Sequence, residues 1–221
     1  MSVTQQLLEL KSTLPPHVTL VAVSKTKPLA LLQEAYAAGQ RDFGENYVQE
    51  LTEKQPLMPE DTRWHFIGHL QSNKVKYIAP FVYLIHGIDS LKLLQEVNKQ
   101  ALKNNRIIDV MLQLHIAQEE TKFGFDFDEC RHLLCSDVLN SLTGVRVRGF
   151  MAMASNTDDQ AIVRKEFASV KAFSNEMCQR RDGLDILSYG MSGDYALAIE
   201  EGSTMVRVGS LIFGEREYAS K

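Results

Sequence analysis

Lys25 is the residue in this sequence whose surroundings most favour covalent chemistry. It follows an apolar run over residues 18–23, interrupted only by Thr19, and a second cation, Lys27, lies two positions further on. An apolar setting and a neighbouring positive charge both favour the neutral form of a lysine, and the neutral amine is the form that attacks an aldehyde. Most lysines are instead solvated surface residues. We predict that Lys25 is the reactive amine of the protein.

Two short segments near the carboxyl end have the composition of phosphate-binding loops. Residues 190–194 read Gly-Met-Ser-Gly-Asp, and residues 208–210 read Val-Gly-Ser. Small residues let backbone N–H groups approach an anion, and Ser192 and Ser210 add hydroxyl donors. Each segment alone is a common turn sequence. Both of them after predicted strands, in a chain that also carries Lys25 after its first strand, predict a site for a phosphate.

Arg207 lies inside an apolar strand sequence, between two valines. An arginine keeps its charge in proteins, so it needs a partner where it is buried. The sequence leaves two partners open. One is a ring nitrogen of a bound ligand. The other is a carboxylate of the protein core, for which the candidates are Glu200, Glu215 and Asp194.

Other strand ends carry further side chains that can contact a ligand, namely Glu45, Asn46, His65, Met151 and Met153. His65 can equally be a core histidine bonded to the backbone, and methionines more often pack than bind. The spacing of the His, Cys and acidic residues fits no metal motif, and the G-x-S-x-G motif of serine hydrolases is absent. We therefore predict a site without a metal.

The elements that must position these residues alternate between strand and helix. The run over residues 18–23 is typical of a parallel strand buried on both faces. Further strands are predicted at 41–45, 64–68, 81–87, 107–116, 144–151, 184–188 and 204–208. A helix is predicted over 3–13, and helical spacing recurs between the strands, for example over 46–54, 72–79 and 128–136, with a single turn at 210–213.

Eight strand-helix units in 221 residues are typical of an α/β protein with a (β/α)₈ TIM barrel. We predict one domain over residues 1–221, with an extra helix before the first strand. The carboxyl ends of the barrel strands are the face that carries chemistry, and Lys25 falls on that face. The alternative, an open doubly wound sheet, needs a glycine-rich turn after the first strand, where this chain reads Ser-Lys-Thr-Lys.

Composition excludes several classes of function. A net charge of −4 is ordinary for a soluble protein and does not favour nucleic acid or an anionic membrane as partner. The three cysteines contain no C-x-x-C pair, which argues against a disulfide framework or a zinc site and for a reducing compartment. No apolar run approaches the length of a membrane span, and the first residues lack a signal-peptide pattern. We expect a cytoplasmic protein.

Five segments taken together resemble the pyridoxal phosphate homeostasis protein family. They cover residues 21–28, 43–50, 64–68, 190–192 and 206–214, in the expected order. The resemblance implies a barrel like the amino-terminal domain of alanine racemase, with pyridoxal 5′-phosphate (PLP) held as a Schiff base on Lys25. It assigns the phosphate to Ser192, Gly209 and Ser210, and the pyridine nitrogen to Arg207. It also implies that Asn46, His65 and Met151 line the cofactor pocket.

The chain departs from the family pattern at two places. The loop after the fifth strand usually has a serine and a glycine around its lysine, and here it reads Glu-Thr-Lys-Phe-Gly over residues 120–124, so an accessory role for Lys122 is left open. Position 210 is often threonine, and Ser210 keeps the hydroxyl. The chain also ends soon after the last predicted strand, so we expect it to lack the further domain that supplies a second base in alanine racemase.

The function implied by the resemblance is binding and release of PLP for vitamin B6 homeostasis, without robust turnover. An arginine at the ring nitrogen leaves that nitrogen unprotonated and the ring a weak electron sink. Alternatives are a small racemase or lyase that uses a base such as His65 or Tyr189, and a barrel aldolase whose Lys25 forms an imine with a sugar phosphate. Expected partners are PLP, amino acids and PLP-dependent apoenzymes, and the expected state is a monomer.

Overall fold

The computed structural model describes residues 1–119 and 123–215. The strands within these residues are β1 Thr19–Val23, β2 Asp42–Glu45, β3 Arg63–Phe66, β4 Leu84–Ile88, β5 Ile108–Leu114, β6 Val145–Ala152, β7 Ile186–Ser188 and β8 Met205–Val208. They form a closed parallel barrel in chain order, in which β8 pairs with β1. The predicted (β/α)₈ fold is confirmed.

Helices connect the strands on the outside of the barrel. They are α1 Val3–Thr13, α2 Leu29–Ala37, α3 Val48–Lys54, α4 Val75–Ile78, α5 Leu91–Lys103, α6 Phe127–Leu134, α7 Asp137–Ser141, α8 Gln160–Cys178, α9 Tyr195–Glu200 and α10 Ser210–Phe213, with 3₁₀ turns at Gln55–Leu57 and Ser72–Lys74. A capping box between Ser2 and Gln5 starts α1, the predicted extra helix. None of the described helices is long and apolar enough to cross a membrane.

Among the element boundaries that differ from the prediction, three have a local reason. Phe81 and Val82 donate to the carbonyl of Ile78, so they complete a turn after α4 and the strand begins only at Leu84. Tyr47 keeps an extended backbone, so α3 starts at Val48, two residues later than predicted, and residue 46 remains in the loop after β2. The hydroxyl of Ser136 donates to the carbonyl of residue 133 at the end of α6, and a separate short helix follows.

Ion pairs surround the amino ends of the strands. Asp42 pairs with Arg63 across β2 and β3 at 2.5 Å, and Asp109 pairs with Arg148 across β5 and β6 at 2.8 Å. Burial by itself raises the pKa of Asp42, but hydrogen bonds from Arg63 and His65 outweigh it and hold that pKa at about 2. The carboxylate of Asp42 is therefore ionised across the ordinary pH range.

We expect Asp42 to make the protein sensitive to acid. The pKa of Asp42 lies at about 2 in the folded protein and near 3.8 in the unfolded chain, so this group stabilises the fold above about pH 4, and the contribution is lost as the pH falls towards 2. The loss amounts to about 2 kcal/mol. Urea unfolding at pH 4 and pH 2 should show this component in the wild-type protein, and Asp42→Asn should lack it. An equal loss in both proteins would contradict the assignment.

Candidate functional site

A cavity of about 280 Å³ opens at the carboxyl ends of the strands. Six of the eight predicted site residues line it, namely Lys25, Asn46, Ser192, Arg207, Gly209 and Ser210. The parallel register explains how residues from both ends of the chain meet, because Val21 of β1 lies beside Arg207 of β8 and Ala22 lies beside Val208. The loops that follow these two strands are therefore adjacent.

Lys25 lies half-buried in the loop after β1, and its neighbours in that loop are fixed by hydrogen bonds. The Ser24 hydroxyl donates to Glu45 at 2.7 Å, and the Thr26 N–H donates to Glu50 at 2.5 Å. Thr26 adopts a left-handed backbone with φ of 62°, which is uncommon for a residue other than glycine. Both residues beside Lys25 are thus tied to the β2–α3 segment, and this restrains the backbone that carries its amine.

Lys54 completes this support beneath the loop. Its ammonium lies 2.8 Å from the carboxylate of Glu45 and 2.6 Å from that of Glu50, and it donates to the carbonyl of Ser24 at 2.8 Å. Burial raises the pKa of Glu45, and the charge of Lys54 opposes that rise. The sequence reasoning did not identify Lys54, and its position as the last residue of an ordinary amphipathic helix gives no signal of this role.

Lys27 has a structural role in the same loop. Its ammonium donates to the carbonyl oxygens of Phe213, Gly214 and Glu215 at 3.0, 2.9 and 2.7 Å. An ammonium has three hydrogens to donate, and these three acceptors account for all of them. Lys27 therefore fastens the loop after β1 to the end of α10, and the geometry favours Lys25 as the reactive amine.

The two predicted phosphate loops are joined to each other. Ser192 Oγ accepts a hydrogen bond from the Gly209 N–H at 3.3 Å. Among the hydrogen bonds between described residues, none uses the N–H groups of Ser192 and Ser210 as donors. Gly190 has φ of 95°, and a Cβ there would lie 2.5 Å from Ala198, so only glycine makes this turn without strain. The arrangement presents unused backbone donors to the cavity, which suits an anion.

Arg207 closes the inner end of the cavity and is almost completely buried. Its Nη1 donates to the carbonyl and the hydroxyl of Ser188, both at 2.7 Å, and its Nη2 donates to the Ala152 carbonyl at 3.0 Å. None of the candidate carboxylates accepts from it within the described chain, and its Nε–H has no partner there. Burial lowers the pKa of Arg207 to about 10, which leaves the guanidinium charged at neutral pH.

His65 and Met151 do not line the cavity. His65 is fully buried inside the barrel, and Met151 packs there in a cluster with Val21 and other apolar residues. Two residues further along the chain, just past the ends of β3 and β6, Ile67 and Met153 do reach the cavity. Met153 is among the strand-end side chains named from the sequence, whereas Ile67 is not. Lys122 lies outside the described residues.

In the two described ranges, no group of three or more His, Cys, Asp or Glu side chains is arranged to hold an ion. The side chain of Asn46 contributes a different feature, because its Oδ1 is buried in the structure and has no hydrogen-bond partner among the described residues. A buried amide atom without a partner is rare, and this one belongs to a residue of the cavity wall.

Comparison with known sequences assigns the family. The chain matches the family model described as alanine racemase, N-terminal domain, over residues 2–217. It is 39% identical over 201 residues to a protein of Aquifex aeolicus (strain VF5), covering 90% of this chain and 87% of the relative. It is 40% identical over 214 residues to a protein of Escherichia coli (strain K12), covering 94% and 89%. Both relatives are named pyridoxal phosphate homeostasis protein.

The chain belongs to the pyridoxal phosphate homeostasis protein family. The predicted family is therefore confirmed. Solved structures agree with this: PipY of Synechococcus elongatus PCC7942 without PLP has a TM-score of 0.91 at 39% identity, over 96% of this chain and 100% of PipY. The structure of PipY with PLP bound has a TM-score of 0.87 at 38% identity and the same coverage.

Members of this family share their barrel with larger enzymes. An alanine racemase from E. faecalis has a TM-score of 0.77 at 15% identity, over 97% of this chain and 58% of the racemase. Identity at this level shows a common fold and carries no information on activity. The predicted likeness to the amino-terminal domain of alanine racemase is thus confirmed for the fold.

Proposed function

We propose that this protein binds PLP in the cavity at the carboxyl ends of the strands and acts in vitamin B6 homeostasis. The observation that carries the proposal is that one cavity combines a lysine, two joined loops and a buried arginine. Within the described part of the chain, two N–H groups of the loops and the Nε–H of the arginine have no partner. The family of the chain and the PLP-bound structure of PipY support the proposal. PLP offers an aldehyde, a phosphate and a ring nitrogen, which are the partners that these three features need.

Each group of the cavity has a part in this proposal. Lys25 forms a Schiff base with the aldehyde, and the loops of Ser192, Gly209 and Ser210 hold the phosphate dianion. The Nε–H of Arg207 donates to the ring nitrogen. The amide of Asn46 pairs with a polar substituent of the ring, which would satisfy its buried atom.

The position of Arg207 favours binding of PLP, and not catalysis, as the main task of the site. PLP supplies an electron sink when its ring nitrogen is protonated, usually by a carboxylic acid. Arg207 remains charged at neutral pH despite the lowering of its pKa to about 10 by burial. A guanidinium shares its hydrogen but does not transfer it. The ring nitrogen stays neutral beside Arg207, and the sink is weak.

His65 and Tyr189, the bases named above for a racemase or lyase, lie away from the cavity. His65 is enclosed in the barrel interior, and the hydroxyl of the fully buried Tyr189 donates to the Glu201 carbonyl at 2.8 Å. Burial also raises the pKa of Tyr189. These positions favour a binding protein over the alternative enzyme. The aldolase alternative predicts a colourless protein, because a sugar phosphate has no visible absorbance.

The decisive measurement is the absorbance spectrum of the purified protein before and after borohydride. We expect a visible band from bound PLP that disappears on reduction and leaves a covalent adduct. A second measurement separates binding from catalysis: the PLP-loaded protein is incubated with each proteinogenic amino acid in heavy water. We expect no sustained uptake of deuterium at the α-carbon, and steady uptake would favour the racemase or lyase.

Arg207→Glu is expected to change the absorbance of bound PLP. A carboxyl group at this position can hold a proton on the ring nitrogen, which alters the electronic structure of the ring. Arg164→Glu is the matched control, because Arg164 pairs with Glu200 and Glu201 on the surface and lies outside the cavity. An identical spectrum for Arg207→Glu and the wild-type protein would remove the proposed contact between Arg207 and the ring.

Further features of the protein belong to the same proposal. We infer that amino acids and PLP-dependent apoenzymes are partners that exchange the cofactor, and that the protein is a monomer in the cytoplasm. The three cysteines are all unpaired, which suits a reducing compartment. Light scattering after gel filtration measures the oligomeric state, and transfer of PLP to an added apoenzyme measures the exchange.

A further inference from the structure

A row of buried polar side chains crosses the barrel interior beneath the cavity. Arg207 Nη1 donates to Ser188 Oγ at 2.7 Å, and this oxygen lies 3.2 Å from His86 Nδ1. His86 Nε2 lies 2.9 Å from His65 Nδ1, and His65 Nε2 lies 3.0 Å from Asp42 Oδ1. These five residues, all of them buried, are called the polar row below. The row connects the inner end of the cavity with the ion pair of Asp42 at the amino ends of the strands.

With one proton on each imidazole, the two ends of the polar row fix the direction of every hydrogen bond in it. The ionised carboxylate of Asp42 can only accept, so His65 donates from Nε2. His65 then accepts at Nδ1 from the Nε2–H of His86. His86 in turn accepts at Nδ1 from the hydroxyl of Ser188, whose oxygen accepts from Arg207.

This pattern gives each contact one donor and one acceptor, with both imidazoles neutral. Burial is the main cause that holds the pKa of His86 well below its ordinary value, which agrees with a neutral His86 ring. The two histidines therefore carry their single protons on Nε2.

The polar row lies in a barrel interior that is otherwise filled by apolar side chains. Other inward-facing side chains form an apolar cluster of Val21, Leu84, Met111, Met151 and Met205. Apolar residues of similar volume usually stabilise an interior at least as well as buried polar groups do. A fully bonded polar row has a different property, since it holds its members in one orientation.

We propose that Ser188, His86 and His65 are positioning residues that hold the guanidinium of Arg207 with its Nε–H towards the ring nitrogen of PLP, and that Asp42 orients the row from the opposite end of the barrel. The proposal rests on the proposed function for its ligand. Because His65 does not reach the cavity, it acts on Arg207 through the side chains of His86 and Ser188.

The tautomers can be measured on the protein without PLP. In protein labelled with ¹⁵N-histidine, NMR detects two-bond couplings between each ring nitrogen and the protons on the ring carbons. The size of these couplings distinguishes a protonated from an unprotonated nitrogen. We expect both His65 and His86 to carry a proton on Nε2 and none on Nδ1. A proton on Nδ1 of His86 would reverse the row and overturn the proposal, whether or not the protein binds PLP.

Binding measurements test the effect on the ligand. Ser188→Ala removes one acceptor of Arg207 and the donor to His86, while the Ser188 and Ala152 carbonyls remain available. We expect the dissociation constant of PLP to rise about tenfold and the absorbance band of bound PLP to shift. Ser174→Ala, at another buried serine in α8, is the matched control and should stay within about twofold of the wild-type value.

The far end of the row is tested by Asp42→Leu against Asp109→Leu. Both carboxylates are about equally buried, with 10% and 12% of the side chain exposed, and both pair with arginines, but only Asp42 contacts a histidine of the row. We expect Asp42→Leu to weaken PLP binding about fivefold and to shift its absorbance band. Asp109→Leu should leave both unchanged.

The outcomes separate this proposal from the proposed function. If the wild-type protein does not bind PLP, the proposed function fails, and the histidine tautomers still decide the direction of the row. If PLP binds and both Ser188→Ala and Asp42→Leu keep the wild-type affinity and spectrum, the positioning role is wrong while the proposed function stands. Circular dichroism melting of each variant identifies a folding defect, in which case the tautomer measurement on the wild-type protein decides alone.

Discussion

Lys25→Ala is expected to abolish the borohydride-fixable adduct with PLP and to raise the dissociation constant of PLP at least about 100-fold, which corresponds to about 3 kcal/mol. The amine is the atom that bonds to the aldehyde, and the residues on either side of Lys25 make their own hydrogen bonds to Glu45 and Glu50. The fold should therefore remain intact. Mass spectrometry after borohydride treatment measures the adduct, and thermal melting measures the fold.

Lys27→Met is the matched control for this experiment. It removes the second amine of the same loop, which contacts three carbonyls at the end of α10. We expect this variant to lose some thermal stability and to keep the adduct on Lys25. An adduct of unchanged mass in Lys25→Ala would contradict the assignment, and peptide mapping would then decide between Lys27 and Lys122.

Ser210→Asp is expected to weaken PLP binding about 100-fold. Ser210 lines the cavity beside Gly209, and neither its hydroxyl nor its N–H has a partner within the described residues. A carboxylate here would repel the phosphate dianion, and at a distance near 5 Å with intermediate screening this costs about 2–3 kcal/mol. Fluorescence titration with PLP measures the effect, which should diminish at high salt because ions screen an exposed pair.

Ser210→Asn separates charge from size at the same position. The amide has the shape of the aspartate side chain without its charge, so we expect a loss of about tenfold or less from the changed hydroxyl alone. Inorganic phosphate should compete with PLP in the wild-type protein and compete poorly in Ser210→Asp. Equal losses in the Asp and Asn variants would show that the phosphate does not lie beside Ser210.

The elements of this barrel were largely predictable because their signals are local. The continuous apolar run over residues 18–23 predicted β1, and the alternation of strands with helical spacing predicted eight strands in chain order. The predicted and observed α1 coincide, since Ser2 and Gln5 form a capping box that involves neighbouring residues only. The predicted boundaries were wrong where a single hydrogen bond ends an element. An example is the bond from the Ser136 hydroxyl at the end of α6.

The depth of a side chain along the barrel axis was not predictable. His65 and Met151 face the interior as expected, but they lie below the cavity, and the next inward-facing residues, Ile67 and Met153, line it. Depth depends on strand tilt and on the register between neighbouring strands, such as the shift in pairing after Val110 of β5. Those quantities arise from the closed barrel as a whole.

Contacts between distant segments were equally hidden from the sequence. Lys27 bonds to carbonyls at the opposite end of the chain, and the polar row joins Asp42 with Arg207 through Ser188 and two histidines. No pattern within a single segment records such partners, because each residue type is ordinary in its own strand. For the same reason the sequence left the partner of Arg207 open between a ligand and a carboxylate, and did not name the Ser188 and Ala152 oxygens that bind it.

By itself, the sequence of this protein determined the order of strands and helices, the position of Lys25 at a strand end and the two serine-bearing loops, because periodicity and turn chemistry act over a few residues. Only the tertiary structure decided which side chains share the cavity, which lysine is committed to carbonyl oxygens, and how Arg207 is held. Those outcomes depend on closure of the barrel, which brings β8 against β1 and fixes the depth of every inward-facing residue.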